Sequence, residues 1–359
     1  MACGMLPQSS VGSIPLHSSG TERSHTPVLG IAIALCALLL IVGVAFSVGQ
    51  YPVSVTELLR VLQSWAGGAP HGLDPTLDTV VLEIRGPRVL AALLVGAALA
   101  AAGAAYQNLF RNPLVSPDIL GVSTGAAVGA VLGIFLSLGV VAVQSLAFAG
   151  GLAAVGMVYF IAKSVRGHDP LLVLVLAGVV LGSLLGACVA LMKYLADPYN
   201  QLPAITYWLL GSLASTEARD LWIAAPLMLA GLLPLWLLRW RINVLSLDDE
   251  EARALGVATG RIRLVVIVGA TLMTAAAVAI SGVIGWIGLV IPHFARLLTG
   301  PDFSRLLPVS VLLGAGFLVA VDALARAIAN VEVPLGVLTA LVGAPLFLWQ
   351  LATARRGWQ

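Results

Sequence analysis

The densest set of reactive side chains in this 359-residue sequence is SLDDEEARALGVATGRIR, residues 246–263, which holds Asp248, Asp249, Glu250, Glu251, Arg253, Arg261 and Arg263. Carboxylates so close together suit a docking surface for another protein, and a solvated connector fits the same pattern. Asp322 and Arg326 form a second set, spaced i,i+4 and so on one helix face. An acid within an apolar run is by default a functional residue such as a proton relay, and a structural ion pair serves equally well. His293, directly after Pro292, has the chemistry of a metal ligand or proton carrier. No second His, Cys or carboxylate stands at ligand spacing, so a structural or hinge use is expected. Cys3, Cys36 and Cys188 show neither disulfide nor metal-ligand spacing. A phosphate-binding loop needs G-x-x-x-x-G-K-[ST], and the two lysines, Lys163 and Lys193, stand in no such run. The expectation is therefore no catalytic, cofactor-binding or metal site in this chain, with any ATP and magnesium bound by a partner.

These few polar residues must be positioned by an apolar scaffold. The sequence is 59% hydrophobic and 10% charged, against roughly 25% charged for a soluble domain. So few charges cannot cover a water-soluble surface of this size, and a net charge of +2 gives no reason to expect a nucleic-acid partner. Apolar runs of about 20 residues, the length of a helix crossing ~30 Å of hydrocarbon, fall near 28–49, 88–108, 118–137, 140–163, 171–194, 221–239, 264–281, 283–298, 308–328 and 334–352. Backbone polar groups cannot face lipid unpaired, so each run is expected to be a helix. The fold class is all-α, a polytopic membrane protein of about ten transmembrane helices. Residues 1–27 are expected to be a disordered cytoplasmic tail and 28–359 the membrane domain, with the first apolar run an uncleaved helix.

Lys and Arg set the orientation. With the amino terminus inside, thirteen of the 19 basic residues fall in cytoplasmic segments, both termini are cytoplasmic, and the charged run lies between the sixth and seventh spans. Ser246 followed by Asp249 resembles a capping box. The carboxylates sit where a helix dipole favours them, and Gly256 is a natural left-handed stop. A second helix is expected to begin near Thr259. Asn112-Pro113 and Pro117-Asp118 bracket a tight corner.

Longer patterns bring a resemblance. R-x-P-R at 85–88 is followed by G-A-x-L-A-x-x-G and by Q-N-x-F-x-N-P-L-x-x-P-D-x-L-G-V-S-x-G-A. Later come G-x-I-G-x-x-G-L-x-I-P-H, D-x-x-A-R and E-x-P-x-G-x-x-T-A-x-x-G-A-P. The chain resembles the FecCD-type permease subunits of ATP-binding-cassette importers for iron-siderophores, haem and cobalamin, from about residue 28 to its end. That resemblance implies the type II importer permease fold in a bacterial inner membrane. It also implies a second copy of the chain, two cytoplasmic ATPase subunits and a periplasmic or extracellular substrate-binding protein. It makes residues 243–263 the ATPase-coupling segment, with Leu245 and Leu247 as apolar contacts. Asp249, Glu250, Glu251, Arg253 and Leu255 would supply the rest of the surface, and Gly256 the turn. Arg85, Arg88 and Arg326 would dock the binding protein by bidentate pairing with its carboxylates, and interfacial residues held among headgroups remain the alternative. The loop with His168, Pro170 and Leu171 falls where the family has its cytoplasmic gate, although Pro170, Leu171 and Leu172 depart from the small hydroxyl residues found there in relatives. Asn112, Pro113, Pro292, His293 and Asp322 would be structural. The cargo would be an iron chelate, haem or cobalamin. LADPYNQLPAITYWLLGSLAS and the tryptophan of GWIGLVIPH are also similar to the molybdate/tungstate branch. A stand-alone secondary transporter is the alternative from another class, but it would need more intramembrane carboxylates than Asp322.

Overall fold

The structure of the protein is a computed structural model that describes residues 27–49, 51–67, 72–165, 169–329 and 331–354; of the expected tail, residues 1–27, all but Pro27 lie outside them. All regular structure among the described residues is helical. The helices are α1 (Pro27–Ser47), α2 (Val55–Trp65), α3 (Pro75–Asp78), α4 (Gly86–Leu109), α5 (Val122–Phe135), α6 (Val140–Ser164), α7 (Pro170–Leu195), α8 (Gln201–Leu210), α9 (Ala218–Leu237), α10 (Arg239–Val244), α11 (Asp249–Ala254), α12 (Thr259–Ser281), α13 (Ile287–Thr299), α14 (Phe303–Ile328) and α15 (Leu335–Ala354). A π-helical stretch, Thr79–Arg85, joins α3 to α4, and a 3-10 turn, Pro117–Leu120, precedes α5.

Among the described residues, six helices are long and apolar enough to cross a membrane: Pro75–Leu109, Val140–Ser164, Pro170–Leu195, Ala218–Leu237, Thr259–Ser281 and Phe303–Ile328. Ile31–Ser47, Val122–Phe135, Ile287–Thr299 and Leu335–Gln350 are apolar but shorter. Every expected span has a helix, and by length and composition alone six of them are crossings. The difficult run 264–298 divides where expected. Gly282 and Trp286 take positive φ of 67° and 71°, and the chain between them ends α12 and starts α13.

The interior is built around α4. Its Gly and Ala residues remove side-chain bulk, so neighbouring backbones approach closely. A Cβ added to Gly96 would stand 2.2 Å from the carbonyl oxygen of Gly314 on α14, and one on Gly103 would stand 1.9 Å from that of Gly288 on α13. On another face Tyr106 is fully buried, its hydroxyl 3.1 Å from Thr271 Oγ1 of α12. The α5–α6 hairpin, α7 and α9 pack outside this centre. Of α7, only Leu174, Gly178 and Leu181 are buried.

Four helical pieces escaped the hydropathy reading: α2, the α3–π segment, α8 and α10. In α2, Ser54 and Glu57 form a reciprocal capping box, and the Ser54 hydroxyl and amide hold the Glu57 carboxyl below its ordinary range.

Candidate functional site

At one end of the bundle, α9 turns into α10, then α11, then α12. The Ser246 cap is a correction: α11 starts at Asp249 with Asp248 in the capping position, and Ser246 Oγ donates instead to Asn243 O at 2.7 Å. The stop is as expected. Gly256 has φ 77°, and its N–H donates to Arg253 O while Val257 N–H donates to Ala252 O, 2.9 and 3.0 Å. That is a complete Schellman closure, sealed by contact between buried Ala252 and buried Val257. Asp249 closes the turn from the other side, accepting from Arg263 of α12 at 2.6 Å and facing Arg253 at 3.8 Å.

This leaves a distinct surface. Glu250, Glu251, Arg253 and Gly256 are exposed, as are the large apolar side chains of Leu247 and Leu255. Leu245 is buried, which corrects its expected role as a contact residue: it packs inward and helps hold the segment down.

The end of α4 holds this segment through side chains that sequence reading did not single out. Asn108 Nδ2 donates to Ile242 O at 2.7 Å. Arg111, at positive φ of 49°, donates through Nε to Leu245 O at 3.0 Å, through one terminal nitrogen to Asp248 at 2.9 Å and through the other to Leu247 O. Asn243 Oδ1 accepts from Phe303 N at the start of α14, 3.1 Å. Gln107 donates to Leu289 O at 3.1 Å and accepts from Arg296 at 3.2 Å. The corner beyond α4 is compact: Asn112 Oδ1 accepts from Leu114 N at 2.9 Å, Pro113 follows, and Pro117 opens the 3-10 turn.

The start of α7 faces the same place. Asp169 caps it by accepting from Leu171 N at 2.9 Å, and Pro170 takes the first turn, where its missing N–H is no loss. An open groove of about 860 Å³ runs between Asp169, Pro170, Leu171 and Leu172 on one side and Asp248, Asp249, Arg253 and Arg263 on the other. Two stretches singled out separately in the sequence thus share one surface. His168, also expected in the gate loop, lies outside the described residues.

At the opposite end, Arg88, Asp322, Arg326 and Glu332 form one chain of charges, buried except at the half-buried Glu332. Arg88 donates to Asp322 at 2.8 Å and to Glu332 at 2.7 Å. Arg326 donates to the other Asp322 oxygen at 3.1 Å and to Val48 O and Ala45 O at 2.9 and 3.0 Å. Arg85 donates to Phe46 O and Tyr51 O. Arg85, Arg88 and Arg326 are 5%, 6% and 9% exposed, which corrects their expected direct pairing with carboxylates of another protein. Their forks are already filled, and they brace the ends of α1, α4 and α14. Asp322 is structural in this arrangement, paired not only with Arg326 but also with Arg88. Glu332 was visible only as part of a longer pattern.

His293 is half-buried on α13 beside Pro292. No cluster of three metal-ligating side chains occurs among the described residues.

Known proteins share both the sequence and this architecture. The sequence profile of the FecCD transport family matches residues 35–353. The molybdate import system permease protein of Haemophilus influenzae is 39% identical over 329 residues, 91% of this chain and 96% of that one. A protein of Helicobacter pylori named as a probable iron chelatin transport system permease is 41% identical over 321 residues, 89% and 96% of the two chains. Among solved structures, one described as an inward-facing conformation of a candidate metal-chelate type ABC transporter superposes with a TM-score of 0.80 at 36% identity, covering 90% of this chain and 98% of that one.

Proposed function

The chain belongs to the FecCD transport family, and from that membership we propose that it is the permease subunit of a binding-protein-dependent ATP-binding-cassette importer for a metal chelate. Two copies enclose the pathway, each crossing the membrane ten times, with the four shorter apolar helices completing the count. Two ATPase subunits attach at the α11 end, which is cytoplasmic by the distribution of Lys and Arg. The binding protein docks at the opposite end, on a rim that the Arg85, Arg88 and Arg326 cluster keeps in shape.

One observation carries this reading: a capped helix that leaves Glu250, Glu251, Leu247 and Leu255 uncovered while the end of α4 anchors its start. A chain without a phosphate-binding loop needs such a surface if ATP is to drive it. Asp322 gives little support to a stand-alone transporter, because both of its oxygens are already held by buried arginines. The test is transport in proteoliposomes with the permease, its ATPase and its binding protein. Uptake is expected to stop when the ATPase is catalytically inactive, and persistence of uptake overturns the proposal.

Likeness to the Haemophilus molybdate permease favours a second cargo, a molybdate or tungstate oxyanion, on the same machinery. A binding titration of the partner binding protein against iron chelates, haem, cobalamin and molybdate separates the two.

A further inference from the structure

We infer that Arg111 is the positioning residue that fastens the coupling segment to the core of the permease. The inference rests on the proposed coupling role of residues 243–263, and it assigns the transmission of that role to one side chain. Helix α10 ends at Val244 and α11 begins at Asp249, so residues 245–248 form the joint between them. A helix leaves its last carbonyls without partners inside the helix. Here, Ile242 O accepts from Leu245 N and also from Asn108 at 2.7 Å, and Arg111 takes the carbonyls of Leu245 at the cap and Leu247 in the joint, while its remaining nitrogen pairs with Asp248. One guanidinium therefore holds both halves of the joint: the carbonyl end of α10, where a cation is favoured, and the acidic start of α11.

The planar fork of arginine can meet three acceptors at fixed angles, which the point charge of a lysine cannot do. The close of α4 presents this side chain. Arg111 sits one residue past the cap of α4 at φ 49°, where its N–H donates to Asn108 O and that of Asn112 to Gln107 O, a Schellman turn that fixes where the guanidinium starts. Because α4 is the central helix and lies backbone-to-backbone on α13 and α14, a displacement of α11 by a bound ATPase passes through Arg111 into the rigid centre of the bundle. Without it, α11 is left tied mainly through Asp249 and Arg263 to α12.

Two measurements on the full-length protein test this. In the first, hydrogen exchange of the purified permease is followed by mass spectrometry for wild type, Arg111→Ala, Arg111→Lys and Asp248→Ala. Arg111→Ala is expected to raise exchange over 245–257 by roughly tenfold or more, since the segment opens locally without global unfolding. Arg111→Lys and Asp248→Ala should fall between, and they keep the test alive if the alanine variant does not fold. Unchanged exchange in all three overturns the inference. In the second, cargo moved per ATP hydrolysed is measured with the partner ATPase in proteoliposomes. Arg111→Ala is expected to lower that ratio by about tenfold with the ATPase still bound, and Arg111→Lys to recover part of it. A purely local structural role would leave the ratio intact. An unchanged ratio overturns the inference alone if the control Glu250→Lys/Glu251→Lys detaches the ATPase. If the control also leaves binding and transport intact, the coupling reading itself is wrong.

Discussion

Asp322 is 1% exposed and offers one oxygen to Arg88 and the other to Arg326. Removing it leaves buried Arg326 with no carboxylate and Arg88 with Glu332 alone, and breaking a buried ion pair from one side is costly. Asp322→Ala is expected to destabilise the folded permease by about 3–5 kcal/mol, seen as a drop in the apparent melting temperature of the purified protein. Glu332→Ala should cost less, because its side chain is one-third exposed. Tyr106→Phe offers a contrast: it deletes a neutral hydroxyl's contacts with Thr271 and with Ile267 O, and about 1 kcal/mol is expected in the same melt. What could be read from the sequence at this scale was local. The i,i+4 spacing put Asp322 beside Arg326, but nothing in it revealed Arg88, 234 residues away. Arg111 escapes notice for the same reason: two of its three partners are backbone carbonyls more than 130 residues distant, and a carbonyl leaves no mark in the residue types. The motifs single out Arg85, Arg88 and Arg326, yet their burial follows from tertiary contacts with α1 and α14 that no motif displays.

Elements were more legible, where their ends carry their own chemistry. Gly256 announces the close of α11, and the structure uses it at φ 77°. Gly256→Val is expected to strain that turn by about 1–2 kcal/mol, since a β-branched residue resists left-handed backbone, and to lower ATP-driven uptake. Ala252→Pro removes the hydrogen bond from Ala252 N to Asp248 O and breaks a six-residue helix. Its expected signature is ATPase activity uncoupled from transport, with the permease still inserted. Among the central helices, Gly96→Val forces side-chain atoms against the Gly314 carbonyl, and overpacking of this kind costs about 1–3 kcal/mol. A loss of folded protein in a detergent-stability assay would register it. The pieces that were missed, α2, α8 and α10, are 11, 10 and 6 residues long, too short to fill a membrane-length hydropathy window. The capping box of α2 was the signal that could have found it.

At the scale of the whole molecule, burial is unequal. α4, α12 and α14 are enclosed on most sides, while α6, α7 and α9 present apolar residues outward. Such a surface suits lipid and a second copy of the chain, and light scattering of the purified complex is expected to give two permease chains per particle. The apolar layout was written plainly in the composition. The number of crossings is less plain, because helices shorter than the hydrocarbon thickness resemble buried interior pieces until their neighbours are known. The lightly packed α7 also bears on how a protein of this kind can change over generations. Only Leu174, Gly178 and Leu181 are buried there, with Leu171, Val173, Ala177 and Leu185 partly buried against the core, so exchanges on its exposed faces leave the centre undisturbed. Substitutions can accumulate on those outward faces from one generation to the next, while the glycine-lined core of α4 stays as inherited.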